Sequence, residues 1–182
     1  MKRALVVYES MYGNTQRIAQ AIADGLSTHL EVGVTEVGTA PQTLPPVVEL
    51  LVIGGPTHAF GMTRPSTRQS AAERATGPLV STGIGQREWL ERAQLPPGVN
   101  AATFDTKVGK PRFFWGSAAK RAAKALARRG AHVLAAQSFY VTLGPPERAL
   151  EPGEEERARA WGEKLGADFV GTHPRLAPPV AA

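Results

Sequence analysis

The sequence predicts an α/β protein built on a mostly parallel sheet with helices on both faces. Two observations lead there. Short β-branched or leucine-rich runs alternate along the chain with segments whose apolar residues recur at helical spacing. The two clearest runs, Leu5-Val6-Val7-Tyr8 and Val47-Val48-Glu49-Leu50-Leu51-Val52-Ile53, are near-continuously apolar, as in strands buried on both faces. Strand–helix–strand units of this kind close as right-handed crossovers.

The first strand is Leu5–Tyr8. A helix from Asn14 to Leu30 follows, with Ile18, Ile22 and Leu26 at fourfold spacing. Glu31 to Val37 alternates valine with polar residues, the pattern of an edge strand. Pro41 to Pro46 is a loop. Val47–Ile53 is the strongest strand signal, and Gly54-Gly55-Pro56 is expected to end it. From Thr57 to Gly85 large apolar residues are scarce, with one short helix predicted over Arg68–Arg74. Gln86–Ala93 reads as a further helix, Val99–Phe104 as a strand, Ser117–Arg129 as an alanine-rich helix and His132–Val141 as a strand. Gly144-Pro145-Pro146 stops it. Glu154-Glu155-Glu156 places acidic groups on the first turn of a last helix, whose Ala158, Trp161, Leu165 and Phe169 face the sheet. A single domain is expected over residues 1–171, with a loose tail over 172–182.

At 182 residues, 42% hydrophobic and 20% charged, the chain has ordinary globular composition and no sign of a second domain or an internal repeat. Cysteine is absent, which excludes disulfides, thiolate metal sites and a cysteine nucleophile. Met1-Lys2-Arg3 has the charge of a signal sequence, but the apolar run behind it is too short for one, and no membrane span follows. A cytoplasmic location is expected. The formal charge is +5, and its positive part gathers at Lys107, Lys110, Arg112, Lys120, Arg121, Lys124, Arg128 and Arg129, opposed locally only by Asp105. No nucleic-acid motif accompanies these residues. They read as a solvated helix face with a basic loop, or as a docking patch for an acidic redox partner or a phosphorylated dinucleotide.

Ligands of such sheets gather beyond the carboxyl ends of the strands where the winding reverses. The turns after the first, third and fourth strands meet there: Ser10–Thr15, Gly54–Met62 and Asp105–Trp115. The first, Ser10-Met11-Tyr12-Gly13-Asn14-Thr15, opens a helix, where unpaired amides and the positive dipole end favour a phosphate. Gly13 permits a backbone shape that bulkier residues resist, and Ser10 and Thr15 add hydroxyls. Ser10, Asn14 and Thr15 equally suit capping of that helix. The turn lacks GxGxxG and a Walker lysine, so a monophosphate is the expected ligand. No carboxylates or histidines stand at metal spacing around His58, so no metal is expected.

At these three turns the chain resembles the flavodoxin family over roughly residues 3 to 170. The resemblance implies a three-layer α/β/α fold with a five-stranded parallel sheet, strand order 2-1-3-4-5, and FMN at the switch point. Ser10, Gly13 and Thr15 match the family's phosphate loop, whereas Tyr12 stands where the family has threonine. Pro56-Thr57-His58-Ala59-Phe60-Gly61 resembles the second flavin loop, with His58 or Phe60 stacking on the ring, and also the corresponding loop of the tryptophan-repressor-binding-protein type of quinone oxidoreductases. Phe104-Asp105-Thr106-Lys107 corresponds to the third loop, at the polar edge of the flavin. Asp105 either touches the cofactor or instead caps the following turn or orients the loop, and Trp115 either shields the ring or plugs the space beneath it.

The function implied is electron transfer by an FMN protein with no catalytic side chain, exchanging electrons with a redox partner protein or a small reductant or quinone. An FMN-dependent NAD(P)H:quinone oxidoreductase is the alternative, with His58 assisting proton movement. A third reading is a flavodoxin-like interaction module without cofactor.

Overall fold

The computed structural model describes residues 1–109, 116–142, 144 and 149–172. Its elements are β1 (Arg3–Tyr8), α1 (Asn14–Leu26), β2 (Glu31–Glu36), β3 (Val48–Pro56), α2 (Pro65–Glu73), α3 (Gln86–Arg92), β4 (Asn100–Val108), α4 (Ala118–Arg128), β5 (His132–Val141) and α5 (Glu154–Thr172). All pairings are parallel and the order is β2-β1-β3-β4-β5, as the flavodoxin resemblance implies. Winding reverses between β1 and β3, so their carboxyl-end turns face a common crevice. No helix among the described residues is long and apolar enough to cross a membrane.

Strand alternation divides the core into two layers. Val6, Leu50, Val52 and Phe104 point to the face covered by α1 and α5, where they meet Ile18, Ile22, Leu26 and Phe169. Their neighbours Val7, Leu51, Ile53 and Ala101 point to the other face and pack with Trp89 of α3 and Leu126 of α4. Each fully buried leucine, isoleucine or phenylalanine contributes roughly 1.5–3 kcal/mol by leaving water.

Several boundaries differ from the sequence reading, and α2 begins at Pro65, before the expected Arg68. α1 stops at Leu26, where the Ser27 and Thr28 hydroxyls donate to the carbonyls of Asp24 and Gly25, although Leu30 still packs in the core. β3 continues through Gly54-Gly55-Pro56, because the Phe104 ring lies over Gly54 where a side chain would otherwise stand. β4 runs on to Val108, so Phe104–Lys107 is strand and not loop. Thr172 belongs to α5, and residues 173–182 of the expected tail lie outside the described residues.

α1 and α5 approach backbone to backbone. A Cβ on Gly25 would stand 2.6 Å from the Glu163 amide nitrogen, and one on Gly162 would stand 3.1 Å from the Ile22 Cα. Neither neighbour is a movable side-chain tip. Gly25→Ala should therefore cost about 1–3 kcal/mol by forcing the helices apart, read as a lowered urea midpoint with unchanged slope. Gly162→Ala should behave alike, and the double variant should lose less than the sum, because one helix displacement relieves both clashes.

Candidate functional site

The three turns and one face of α2 enclose a cavity of about 620 Å³ at the carboxyl ends of the strands. Its size falls within the roughly 300–1,000 Å³ typical of small-molecule sites. Among the described residues its lining holds two cations, Arg74 and Lys107, and no carboxylate.

The first wall is the turn after β1. Gly13 has φ 93°, the left-handed conformation glycine adopts without strain, and no side chain caps α1. The N-cap position of α1 is thus taken by Gly13, which has no side chain to offer. The Ser10 Oγ accepts from the Gly13 amide at 3.1 Å and holds the turn closed, while Thr15 Oγ1 lies 2.7 Å from Thr106 Oγ1. Ser10, Met11, Tyr12, Asn14 and Thr15 all line the cavity. The Tyr12 phenol is directed away from the cradle, however, and donates to the Ala71 carbonyl of α2 at 2.6 Å.

The second wall follows β3 and contributes Pro56, Thr57, His58, Ala59 and Phe60 to the lining. His58 and Gly61 exchange backbone hydrogen bonds at 2.9 and 3.1 Å, closing a two-residue turn at Ala59-Phe60. Both of those residues have positive φ, 44° and 69°. Such a turn normally takes Asn-Gly, and non-glycine residues held there cost of order 1–3 kcal/mol each. The surroundings enforce it: Arg121 Nε donates to the Phe60 carbonyl at 3.2 Å, and Gly116 packs against the Phe60 backbone. Phe60 stands 53% exposed at the mouth as a result.

The third wall is the end of β4. Thr106, Lys107 and Val108 reach the cavity, whereas Phe104 and Asp105 are fully buried and do not line it. Phe104 fills the α1–α5 core layer. Asp105 turns to the opposite face, where its Oδ2 accepts from Thr57 Oγ1 (3.0 Å), Ser117 Oγ (2.6 Å) and the Ala119 amide (3.0 Å). These bonds tie the β3 turn to the first turn of α4, and Asp105 does not line the cavity. Trp115 lies outside the described residues.

Sequence reasoning missed the contribution of α2. Thr67, Ser70, Ala71 and Arg74 line the cavity, and their i, i+3, i+4, i+7 spacing was the available signal for a single helix face. Val108, Val141 and Gly144 complete the lining.

Behind the cradle, on the α3 side, Glu9 is fully buried. It accepts from Thr63 Oγ1 at 2.6 Å and from the Gln86 amide at 2.7 Å. Arg68 Nη1 reaches Thr63 Oγ1 at 3.0 Å and Glu88 at 3.1 Å. Burial pushes the Glu9 carboxyl above its ordinary value despite the bonds from Thr63 and Gln86 and the nearby Arg68, and Glu88 adds to the rise. Burial also acts to raise Glu88, but bonds from the Gly85 amide and Arg68 outweigh it and hold that carboxyl below its usual range.

A doubly wound parallel sheet whose first helix opens at a left-handed glycine beside a cavity lined by Arg74 and Lys107 defines the class: a three-layer α/β/α protein with its cavity at the switch point. Residues 6–93, from β1 to the end of α3, match the sequence profile of the flavodoxin family. With that match and the sheet order, the chain is similar to the flavodoxin family in sequence over residues 6–93 and in fold over the whole sheet. Its fold is similar to that of flavodoxin 1 from Bacillus cereus, at 21% identity and TM-score 0.61, over 95% of this chain and 99% of that one. Flavodoxin from Streptococcus pneumoniae TIGR4 gives 19% identity and TM-score 0.61, over 91% and 99%. The flavodiiron protein from Giardia intestinalis gives 21% identity and TM-score 0.55, over 94% of this chain but 37% of that one. No curated protein sequence matches the chain.

The buried carboxylate sets a pH dependence. The folded state holds the Glu9 proton to higher pH than the unfolded chain, whose carboxyl titrates near its ordinary value of 4.5. Stability from this group is therefore fully present below that pH and is lost as pH rises towards the raised folded value. Glu9→Gln should flatten the fall in urea stability between pH 4.5 and neutrality, and parallel profiles would contradict this assignment. Glu88 has the opposite sign and weakens the fold as pH falls through its lowered value, so the comparison is of wild type with variant at each pH.

Proposed function

We propose that the protein binds FMN in this cavity and takes part in electron transfer. The observation that carries the reading is the start of α1: a helix N-terminus without a side-chain cap opens onto a cavity lined by two cations and no carboxylate. A phosphate there gains amide hydrogen bonds and a favourable dipole. Ser10, Met11, Tyr12, Gly13, Asn14 and Thr15 would hold the phosphate end, Tyr12 and Gly13 by their backbone. Pro56, Thr57, His58, Ala59, Phe60 and Gly61, with Thr106 and Lys107, would hold the ring end. FMN supplies reversible electron transfer when bound. The protein's own residues fix the phosphate, exclude water from one side of the ring with His58 and Phe60, and set the local charge.

Residues 1–171 act as one domain in this reading, and the partner is a redox protein or a small reductant or quinone. A second reading, FMN-dependent NAD(P)H:quinone turnover, is favoured by Lys107 and Arg121 beside the mouth, which suit an anionic dinucleotide. Sustained NADPH consumption with a quinone acceptor selects it over the carrier. The cofactor-free module finds less support, because Tyr12 donates to Ala71 and leaves the cradle open.

Calorimetry and quenching of flavin fluorescence should both show saturable 1:1 binding of FMN at micromolar levels. Absence of heat and of quenching there overturns the proposal. Arg74→Ala should weaken FMN about tenfold at low salt, equivalent to about 1.4 kcal/mol, and leave riboflavin unchanged, because riboflavin has no phosphate. Equal losses for both ligands would remove Arg74 from the phosphate subsite.

A further inference from the structure

α4 carries Lys120, Arg121, Lys124 and Arg128, all exposed, and the sequence from Ala118 to Arg128 contains no acidic residue. Elsewhere on the surface cations meet carboxylates: Arg3 with Glu31, Arg17 with Glu155, Arg159 with Asp24, Lys164 with Asp168. Among the described residues none of the four cations of α4 stands in an ion pair. Lys120, Lys124 and Arg128 follow one another at i, i+4, i+8. Each such like-charge step destabilises a helix by about 0.2–0.5 kcal/mol, a cost that no partner within the described chain offsets.

The stripe also has a fixed place. The amino end of α4 is pinned beside the cavity by Ser117 and Ala119 on Asp105, and Arg121 Nε holds the Phe60 carbonyl. Lys107 Nζ donates to the carbonyl of Gly116, which packs against the Phe60 backbone, at 3.2 Å. An exposed aromatic therefore sits at the mouth with cations beside it, and the stripe extends from it over about 12 Å between Lys120 and Arg128. An apolar centre with a charged rim is the anatomy of a transient protein interface, and a field of one sign steers an oppositely charged partner to it.

We propose that α4 and the Phe60 turn form a docking surface for an acidic electron-transfer protein, which places that partner against the mouth of the cavity. The inference rests on the reading of the cavity as a flavin site for its redox meaning, but the docking surface itself is defined by α4.

The test compares wild type with the triple variant Lys120→Glu, Lys124→Glu, Arg128→Glu, whose side chains lie outside the cavity lining. An unchanged urea midpoint certifies the variant, and single Lys124→Glu serves where the triple variant unfolds early. The binding arm titrates a plant-type [2Fe–2S] ferredoxin as the acidic probe, with and without FMN. Wild type should bind it with an affinity that falls steeply with salt, and the variant should lose at least tenfold. Equal affinity for both proteins, no binding to either, or binding of duplex DNA in place of ferredoxin overturns the proposal. In the redox arm, dithionite-reduced, FMN-loaded protein meets ferricyanide, and two ferricyanide ions each take one electron to become ferrocyanide as the two-electron-reduced flavin is reoxidised and releases its proton. The variant should react at least tenfold more slowly at low salt, with the salt dependence lost, while cationic hexaamminecobalt(III) reacts faster. Rates insensitive to the variant overturn the proposal. Failure of FMN to bind would defeat the cavity reading and leave the ferredoxin titration without flavin to decide the docking surface.

Discussion

The Asp105 carboxylate is the constraint on which the site's geometry depends. One oxygen collects a hydroxyl from the β3 turn, a hydroxyl from the residue before α4 and an amide from the first turn of α4. A buried carboxylate is tolerated only with such partners, and the positive end of α4 adds a favourable dipole. Thr57 is doubly engaged, since its Oγ1 also accepts from the Ala118 amide at 2.9 Å. The turn after β3, the end of β4 and the start of α4 are thereby one unit. The strained Ala59-Phe60 turn is held within that unit, because its carbonyl is fixed by Arg121 of the same helix.

The opposite side of the cavity is built on a different principle. α2 contributes only Ala71 to the buried residues and is attached by polar contacts: the Tyr12 phenol on the Ala71 carbonyl and Arg68 on Thr63 and Glu88. The tyrosine that departs from the family's threonine at this position acts as a tether for the helix supplying Thr67, Ser70 and Arg74. A departure from a motif here is a change in what supports the site. The cradle backbone keeps its glycine and its open helix start.

The parallel sheet was legible because near-continuous apolar runs alternate with helical periodicities, and local pattern carries that information, whereas its strand order came only with the flavodoxin resemblance. Strand ends were less legible. Gly54-Gly55-Pro56 has turn composition, yet it stays in β3 because Phe104, fifty residues away, occupies the space above Gly54. The site followed the same rule. Ser10–Thr15 and Pro56–Phe60 are contiguous, so their turns announced them, whereas Arg74 joins the cavity through tertiary placement of a weakly apolar helix. Asp105 was found as a residue, but its role depended on which way the strand pleat turned it.

That pleat also governs the electrostatics of the cavity. Glu9 and Ser10 are adjacent, and so are Asp105 and Thr106, yet in each pair the carboxylate is drawn to the α3–α4 side while the hydroxyl residue lines the cavity. Glu36, at the end of β2, is likewise engaged, accepting from Ser81 Oγ at 2.6 Å and the Gly38 amide at 2.7 Å. Glu9, Asp105 and Glu36 are thus engaged by loop and helix termini, and among the described lining residues Arg74 and Lys107 set the sign of the cavity. In β4 strand alternation separates Asp105 from Thr106, whereas Glu9, beyond the end of β1, is drawn aside by Thr63 and the Gln86 amide. A one-residue slip of β4 would exchange the faces of Asp105 and Thr106, place a carboxylate beside Thr15 and remove the acceptor that holds the β3 turn to α4. Register, through that single exchange, connects the packing of the core to the preference of the cavity for an anion.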